Sequence, residues 1–201
     1  MKNTLDLLQP APIFLNSIRR HIALSDQEAS TLANLIEEVH LAAGQQILSP
    51  NEVCHHEYFI VSGIIRTYYI DELGTEHTTL FSTDGWWTGN LKSFVTETLS
   101  EYFLEAGVPT TVYRLNREAV ANMYQRVPAM NEYFRILLTN RLIKTQDRVS
   151  YHLSSTATER YETFRRQYPN LEQLVPQKQI ASYLGITPAY LSRMRKRLAR
   201  N

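Results

Sequence analysis

The chain has 201 residues, of which 43% are hydrophobic and 20% charged, and a single cysteine, Cys54. This is ordinary for a globular chain with a sizeable core; it excludes an internal disulfide and any centre built from several thiolates, and no apolar run approaches the roughly 18 residues that span a bilayer. The net charge of +1 is unevenly spread: Leu174 to Asn201 holds six cations (Lys178, Arg193, Arg195, Lys196, Arg197 and Arg200) and no acid, so the remainder carries −5.

Met1 to Pro12 lacks the basic-then-apolar plan of a signal peptide, which with the lone thiol fits a cytoplasmic setting. Residues from about Leu24 to Val39 read as a helix. Ser25 and Glu28 have capping-box spacing, and Leu32, Leu35, Ile36 and Val39 recur at helical intervals. From Gln45 to about Leu115 the texture changes to short runs rich in Ile, Val, Tyr, Phe and Thr, such as Tyr58–Val61, Ile64–Ile70 and Glu76–Phe81. Turn signals separate them, at Ser49-Pro50-Asn51, Ser62-Gly63, Asp71–Gly74, Thr83-Asp84-Gly85 and Gly107-Val108-Pro109. The pattern predicts an antiparallel sandwich or barrel with a hairpin loop at Asp71–Gly74.

Asn116 is placed to cap a short helix, Arg117 to Gln125, with Glu118 at its positive end. Pro128 suits the first turn of a long helix running to about Leu153, with apolar residues at Met130, Phe134, Leu137, Leu138, Leu142, Val149 and Leu153. Roughly 25 helical residues span about 38 Å, more apolar surface than a small sandwich covers. That points to self-association along the helix; packing wholly inside one chain is the alternative. Thr156 and Glu159 form a second capping box, opening a helix to about Tyr168 that Pro169-Asn170 breaks.

The basic segment then has the residues that two short helices meeting near a right angle require. Ile180, Leu184, Ile186, Leu191 and Met194 supply a shared core, and Ala181 is small at the closest approach. Gly185 lies in the turn, Thr187 caps the second helix and Pro188 opens it. Leu191, Met194 and Leu198 face inward, so Ala189, Ser192, Arg193, Lys196 and Arg200 line the outer side. In a helix-turn-helix that side enters the major groove of double-stranded DNA. Arg193 suits a guanine edge, and Ser192 and Ala189 suit base edges or a thymine methyl. Lys178, Arg195, Lys196, Arg197 and Arg200 suit phosphates, and the helix start at Thr187 suits another. A solvated charged helix is the plainer reading of the charge alone.

Together the β-rich half, the long helix and the terminal motif resemble the CRP/FNR (cyclic-AMP receptor protein and fumarate–nitrate regulator) family. Tyr58-Phe59-Ile60-Val61-Ser62-Gly63-Ile64-Ile65-Arg66 is similar to the family's strand–turn–strand, and Gly85 onward to its ligand cassette. The resemblance implies an α+β fold. An antiparallel β-roll (a double-stranded β-helix, jelly-roll-like) with an N-terminal helix would occupy 1–127. A connecting and dimerisation helix would occupy 128–153 and a DNA-binding domain 154–201, lacking most of the family's wing because the chain stops soon after Leu198. It also implies a cytoplasmic homodimer, not an enzyme, without cofactor or membrane, that meets DNA, RNA polymerase and a small-molecule effector.

The effector residues by resemblance are Trp86, Trp87, Asn90, Ser100, Tyr102 and Thr145, the last matching a position that touches a purine. The cassette departs from the family pattern. Thr88-Gly89-Asn90 stands where Phe-Gly-Glu takes a ribose hydroxyl, and no Arg lies between Gly85 and Val112 to pair a cyclic phosphate, while Glu101 would repel one. The expected effector is therefore not cyclic AMP. Trp86-Trp87 reads as buried core or as the lining of an apolar pocket. A metal-dependent, cupin-like enzyme using His55, His56, Glu57 and His77 is the competing reading, but adjacent histidines on a strand point to opposite faces.

Overall fold

The computed structural model describes residues 11–198. Two helices, α1 (Pro12–Arg19) and α2 (Asp26–Ala33), precede the strands β1 (Glu37–Leu41), β2 (Gln46–Leu48), β3 (His56–Ser62), β4 (Ile64–Ile70), β5 (Glu76–Thr83) and β6 (Trp87–Thr88). After α3 (Leu91–Thr96) come β7 (Phe103–Ala106) and β8 (Thr110–Asn116). The rest is helical: α4 (Arg117–Arg126), α5 (Ala129–Ser154), α6 (Ala157–Gln167), α7 (Leu171–Leu174), α8 (Gln177–Leu184) and α9 (Pro188–Leu198).

The strands form two antiparallel four-stranded sheets, ordered β1-β8-β3-β6 and β2-β7-β4-β5. The alternation of each strand sends one set of side chains between the sheets, where Leu41, Leu48, Tyr58, Ile60, Ile65, Leu104 and Val112 form the roll's interior. Phe59 projects from the opposite face of β3 and meets Phe14 and Ile18 of α1 and Tyr133 of α5 in a second core. Gly63 joins β3 to β4 at φ 110°, and a Cβ there would lie 2.4 Å from Thr110 Oγ1, so only glycine fits.

The capping box at Ser25 forms as its spacing predicts: Ser25 Oγ accepts from the Glu28 amide at 3.3 Å and Glu28 Oε2 from the Ser25 amide at 2.9 Å. The helix it opens is shorter than the periodicity predicts. It stops at Ala33, and Val39 belongs to β1, opposite Val112 of β8. Helix propensity is a weak prior, and pairing along five residues of β8 outweighs it here. The Asn116 cap and the long helix follow the sequence closely; Asn116 Oδ1 accepts from the Ala119 amide at 2.8 Å.

The C-terminal helices rest on the roll. Ile64 and Phe81 share a core with Tyr161, Phe164, Tyr168, Val175, Ile180 and Leu184. β5 is the edge of its sheet, and α8 covers it. Ser182 Oγ accepts from the Thr78 amide at 2.8 Å and donates to the Glu76 carbonyl at 2.7 Å. Tyr168 Oη donates to the Phe81 carbonyl at 3.0 Å.

Candidate nucleic-acid interface and ligand cleft

α8 ends at Gly185, whose φ of 67° lets the chain turn sharply without a Cβ clash. Thr187 Oγ1 then accepts from the Tyr190 amide at 3.2 Å, capping α9. Leu191 and Met194 are buried against α8, and Leu198 is half-buried beside them. Ala189, Arg193, Lys196 and Arg197 are exposed on the other side of α9, as is Lys178 at the start of α8; Ser192 is half-buried. Arg200 lies outside the described residues.

These cations differ in availability. The Arg195 guanidinium lies 3.9 Å from the Glu172 carboxylate, and Arg197 donates to Thr158 Oγ1 at 3.2 Å. Arg193, Lys196 and Lys178 make no ion pair or hydrogen bond with any described residue. Tyr190, beside Thr187, is also exposed; the sequence motif gave it no role, although its position in the first turn of α9 follows from Pro188.

A cleft of about 1390 Å³ opens between the roll, α5 and the C-terminal helices. Trp86, Trp87, Asn90, Tyr102 and Thr145 line it, whereas Ser100 does not. Ser100 is buried behind it: its Oγ accepts from Asn90 Nδ2 at 2.8 Å and from the Tyr102 amide at 3.0 Å. Asn90 Oδ1 caps α3, accepting from the Ser93 amide at 3.2 Å. The polar cassette residues thus satisfy one another. Thr145 Oγ1 is also engaged, donating to the Arg141 carbonyl at 2.8 Å.

The two tryptophans divide the alternatives that the sequence leaves open. Trp87 packs among Phe14, Phe59 and Phe134, and its Nε1 donates to Tyr133 Oη at 3.0 Å, so it is core with one edge on the cleft. Trp86 faces the other way, with Lys144 Nζ 5.4 Å from its ring and Tyr168 at 6.4 Å. Two arginines tie the cleft walls together. Arg148 donates to the Thr79 carbonyl, and Arg160 donates to the Leu184 and Ser155 carbonyls at 3.2 and 2.8 Å.

Glu57 also lines the cleft, a placement that sequence reasoning missed. Its Oε1 is fully buried with no partner among the described residues. Burial pushes the carboxyl up to about 7, and the Arg141 charge only partly opposes this. His56 stands on β3 and His77 on β5, in different sheets. His77 Nε2 is 2.7 Å from Asp71 Oδ2, and no cluster of three metal-type side chains occurs among the described residues. Away from the cleft α5 exposes Leu142, Ile143, Val149 and Leu153, and Leu138 is exposed on the cleft lining. No described helix is long and apolar enough to cross a membrane.

Residues 38–127 match the family model of the cyclic nucleotide-binding domain. No curated protein matches the sequence. Among solved structures, FixK2 from Bradyrhizobium japonicum is 20% identical with a TM-score of 0.71, over 82% of this chain and 85% of that one. The catabolite activator protein of Thermus thermophilus is 20% identical with a TM-score of 0.56, over 89% of this chain and 85% of that one. A putative transcriptional regulator of the CRP/FNR family from Eubacterium rectale is 19% identical with a TM-score of 0.65, over 88% and 84%. With its two sheets closed into a roll, its long α5 and its terminal helix pair, the chain has the fold of CRP/FNR-type regulators, and its residues 38–127 are similar to the cyclic nucleotide-binding domain.

Proposed function

We propose that the chain is a sequence-specific DNA-binding transcription regulator, a binding protein rather than an enzyme, acting as a cytoplasmic homodimer alongside RNA polymerase. Residues 1–127 form the sensor roll, 128–153 the dimerisation helix and 154–201 the DNA-binding domain. The observation that carries this reading is the outer side of α9. Arg193 and Lys196 are exposed without partners among the described residues, Lys178 flanks them, and no acid occurs in α8 or α9. A planar guanidinium there suits the O6/N7 edge of guanine, and an ammonium suits phosphate. Arg195 and Arg197, held by Glu172 and Thr158, contribute less.

The effector reading is a small molecule other than cyclic AMP. The cassette offers no arginine for a cyclic phosphate, and Asn90 and Ser100 are bonded to each other. The solved structures of CRP/FNR-type regulators with the same fold support the assignment as a class.

Selection from a random DNA pool tests it. A two-fold symmetric site with half-sites about 10 base pairs apart is expected. Arg193→Ala should lose roughly 1–3 kcal/mol of discrimination at one base position. Lys196→Ala should weaken all DNA alike and lower the salt slope by about 1. Failure to enrich any sequence, with equal affinity for random duplex, would remove the assignment.

A further inference from the structure

Two kinds of polar group meet the cleft beside β6. Asn90 and Ser100 satisfy one another, as described above. Glu57 lies next to them on the outer face of β3 and β6, where Phe59 pairs with Trp87 and Tyr58 with Thr88. Continuing that register brings Glu57 opposite Gly89. The contact is close: a Cβ on Gly89 would sit 2.7 Å from Glu57 Oε2. Tyr124 of α4, Phe134 and Leu137 of α5 and the edge of Trp87 give the cleft an apolar side, and Ser17, Arg20, His21 and Arg141 add polar lining.

A buried carboxylate oxygen without a partner is costly, because burial removes water and nothing replaces it. Only two buried side-chain atoms among the described residues lack a partner, Glu57 Oε1 and Gln179 Oε1, and only Glu57 lines the cleft. A donor would satisfy Oε1, and a cationic donor would also favour the ionised form of a carboxyl that burial pushes up to about 7. The cleft's cations do not supply it. Arg148 and Arg160 are held by backbone carbonyls, and Lys144 lies over Trp86. Arg141 acts on Glu57 only through its charge, and neither it nor Arg20, which also lines the cleft, makes a hydrogen bond to Oε1. The chemistry that completes this part of the cleft is an N–H donor head on a flat apolar body. The head would meet Oε1 with a charge-assisted bond, and the ring would lie against Tyr124, Phe134 and Trp87.

We propose that the part of the cleft beside Glu57 binds a small aromatic molecule with a cationic nitrogen head, an amine or amidine, whose N–H groups donate to Glu57 Oε1. The inference does not rest on DNA binding, so either reading can fail without the other.

Benzamidine is the probe, titrated into the full-length protein. Trp86 and Trp87 are the two tryptophans of the chain and both line the cleft, so intrinsic fluorescence reports occupancy. A Trp86→Phe background leaves Trp87 as the reporter. A saturable change is expected with benzamidine and not with benzoate or benzyl alcohol, which share the ring but lack the head. Glu57→Gln should weaken binding by roughly tenfold or more, the scale of a lost charge-assisted hydrogen bond. Gly89→Ala should do the same by pushing the carboxyl aside, and it leaves Glu57 itself intact. No saturable signal with benzamidine, or equal affinity in Glu57→Gln, would overturn the proposal. Tighter binding of benzoate would also overturn it, reassigning the cleft to anions held by Arg141.

Discussion

At the scale of single residues, Glu57 makes folding sensitive to pH. Its carboxyl is raised to about 7, so the folded chain holds the proton more tightly than the unfolded one. The stability this contributes is fully present below the ordinary carboxylate range and is lost as the pH rises through about 7. Glu57→Gln cannot ionise. Compared by urea denaturation at one protein concentration, the variant should gain on the wild type between pH 5 and pH 8, by at most roughly 3 kcal/mol. A constant difference between the two pH values would mean that Glu57 is solvated. Little of this was legible in the sequence. Glu57 sits in a strand-like run beside two histidines, and only the packing of helices over β3 turns it from a surface acid into a half-buried one with a buried Oε1. The cap at Thr187 and the glycine at Gly185 were legible, because both act on their own neighbours in the chain.

At the scale of elements, α5 was readable from its opening proline and its period. What it packs against was not. Phe134 and Leu137 face the roll, while Leu138, Leu142, Val149 and Leu153 recur along an exposed stripe, with Leu142 at 59% and Leu153 at 85% exposure. Stripes of this spacing pair well with a copy of themselves. For the homodimer proposed above, Leu142→Glu should therefore shift the protein from dimer to monomer at micromolar concentration, read by light scattering after size exclusion. A variant that remains dimeric would place the interface elsewhere. The boundary between α2 and β1 was misread for a related reason. A capping box fixes where a helix begins, but its end at Ala33 is set by β8, more than 70 residues away in sequence. α3 escaped notice even though Asn90 caps it, because six residues are too few to show a period.

At the scale of the whole molecule, the roll and the C-terminal helices share one core through Ile64 and Phe81. Nothing in the sequence motif announces that seam, since Ser182 reads as an unremarkable position within α8. Ser182→Ala would remove both of its bonds and leave the Thr78 amide unpaired. The expected cost is about 1–3 kcal/mol, concentrated at the seam. Hydrogen exchange should show faster exchange at Thr78, with the roll's interior strands unchanged. Uniformly faster exchange would mean that the seam is not a separate unit.

The seam also bears on solubility. β5 has a neighbouring strand on one side only, and α8 occupies the other. A bare strand edge is a template for pairing with any extended chain. Whenever the C-terminal helices lift from the roll, the amide of Thr78 and the carbonyl of Glu76 become such a template. Any opening of the C-terminal helices would therefore expose a self-adhesive edge, and the lifetime of that opening would limit how concentrated the protein can be before it associates through its sheets.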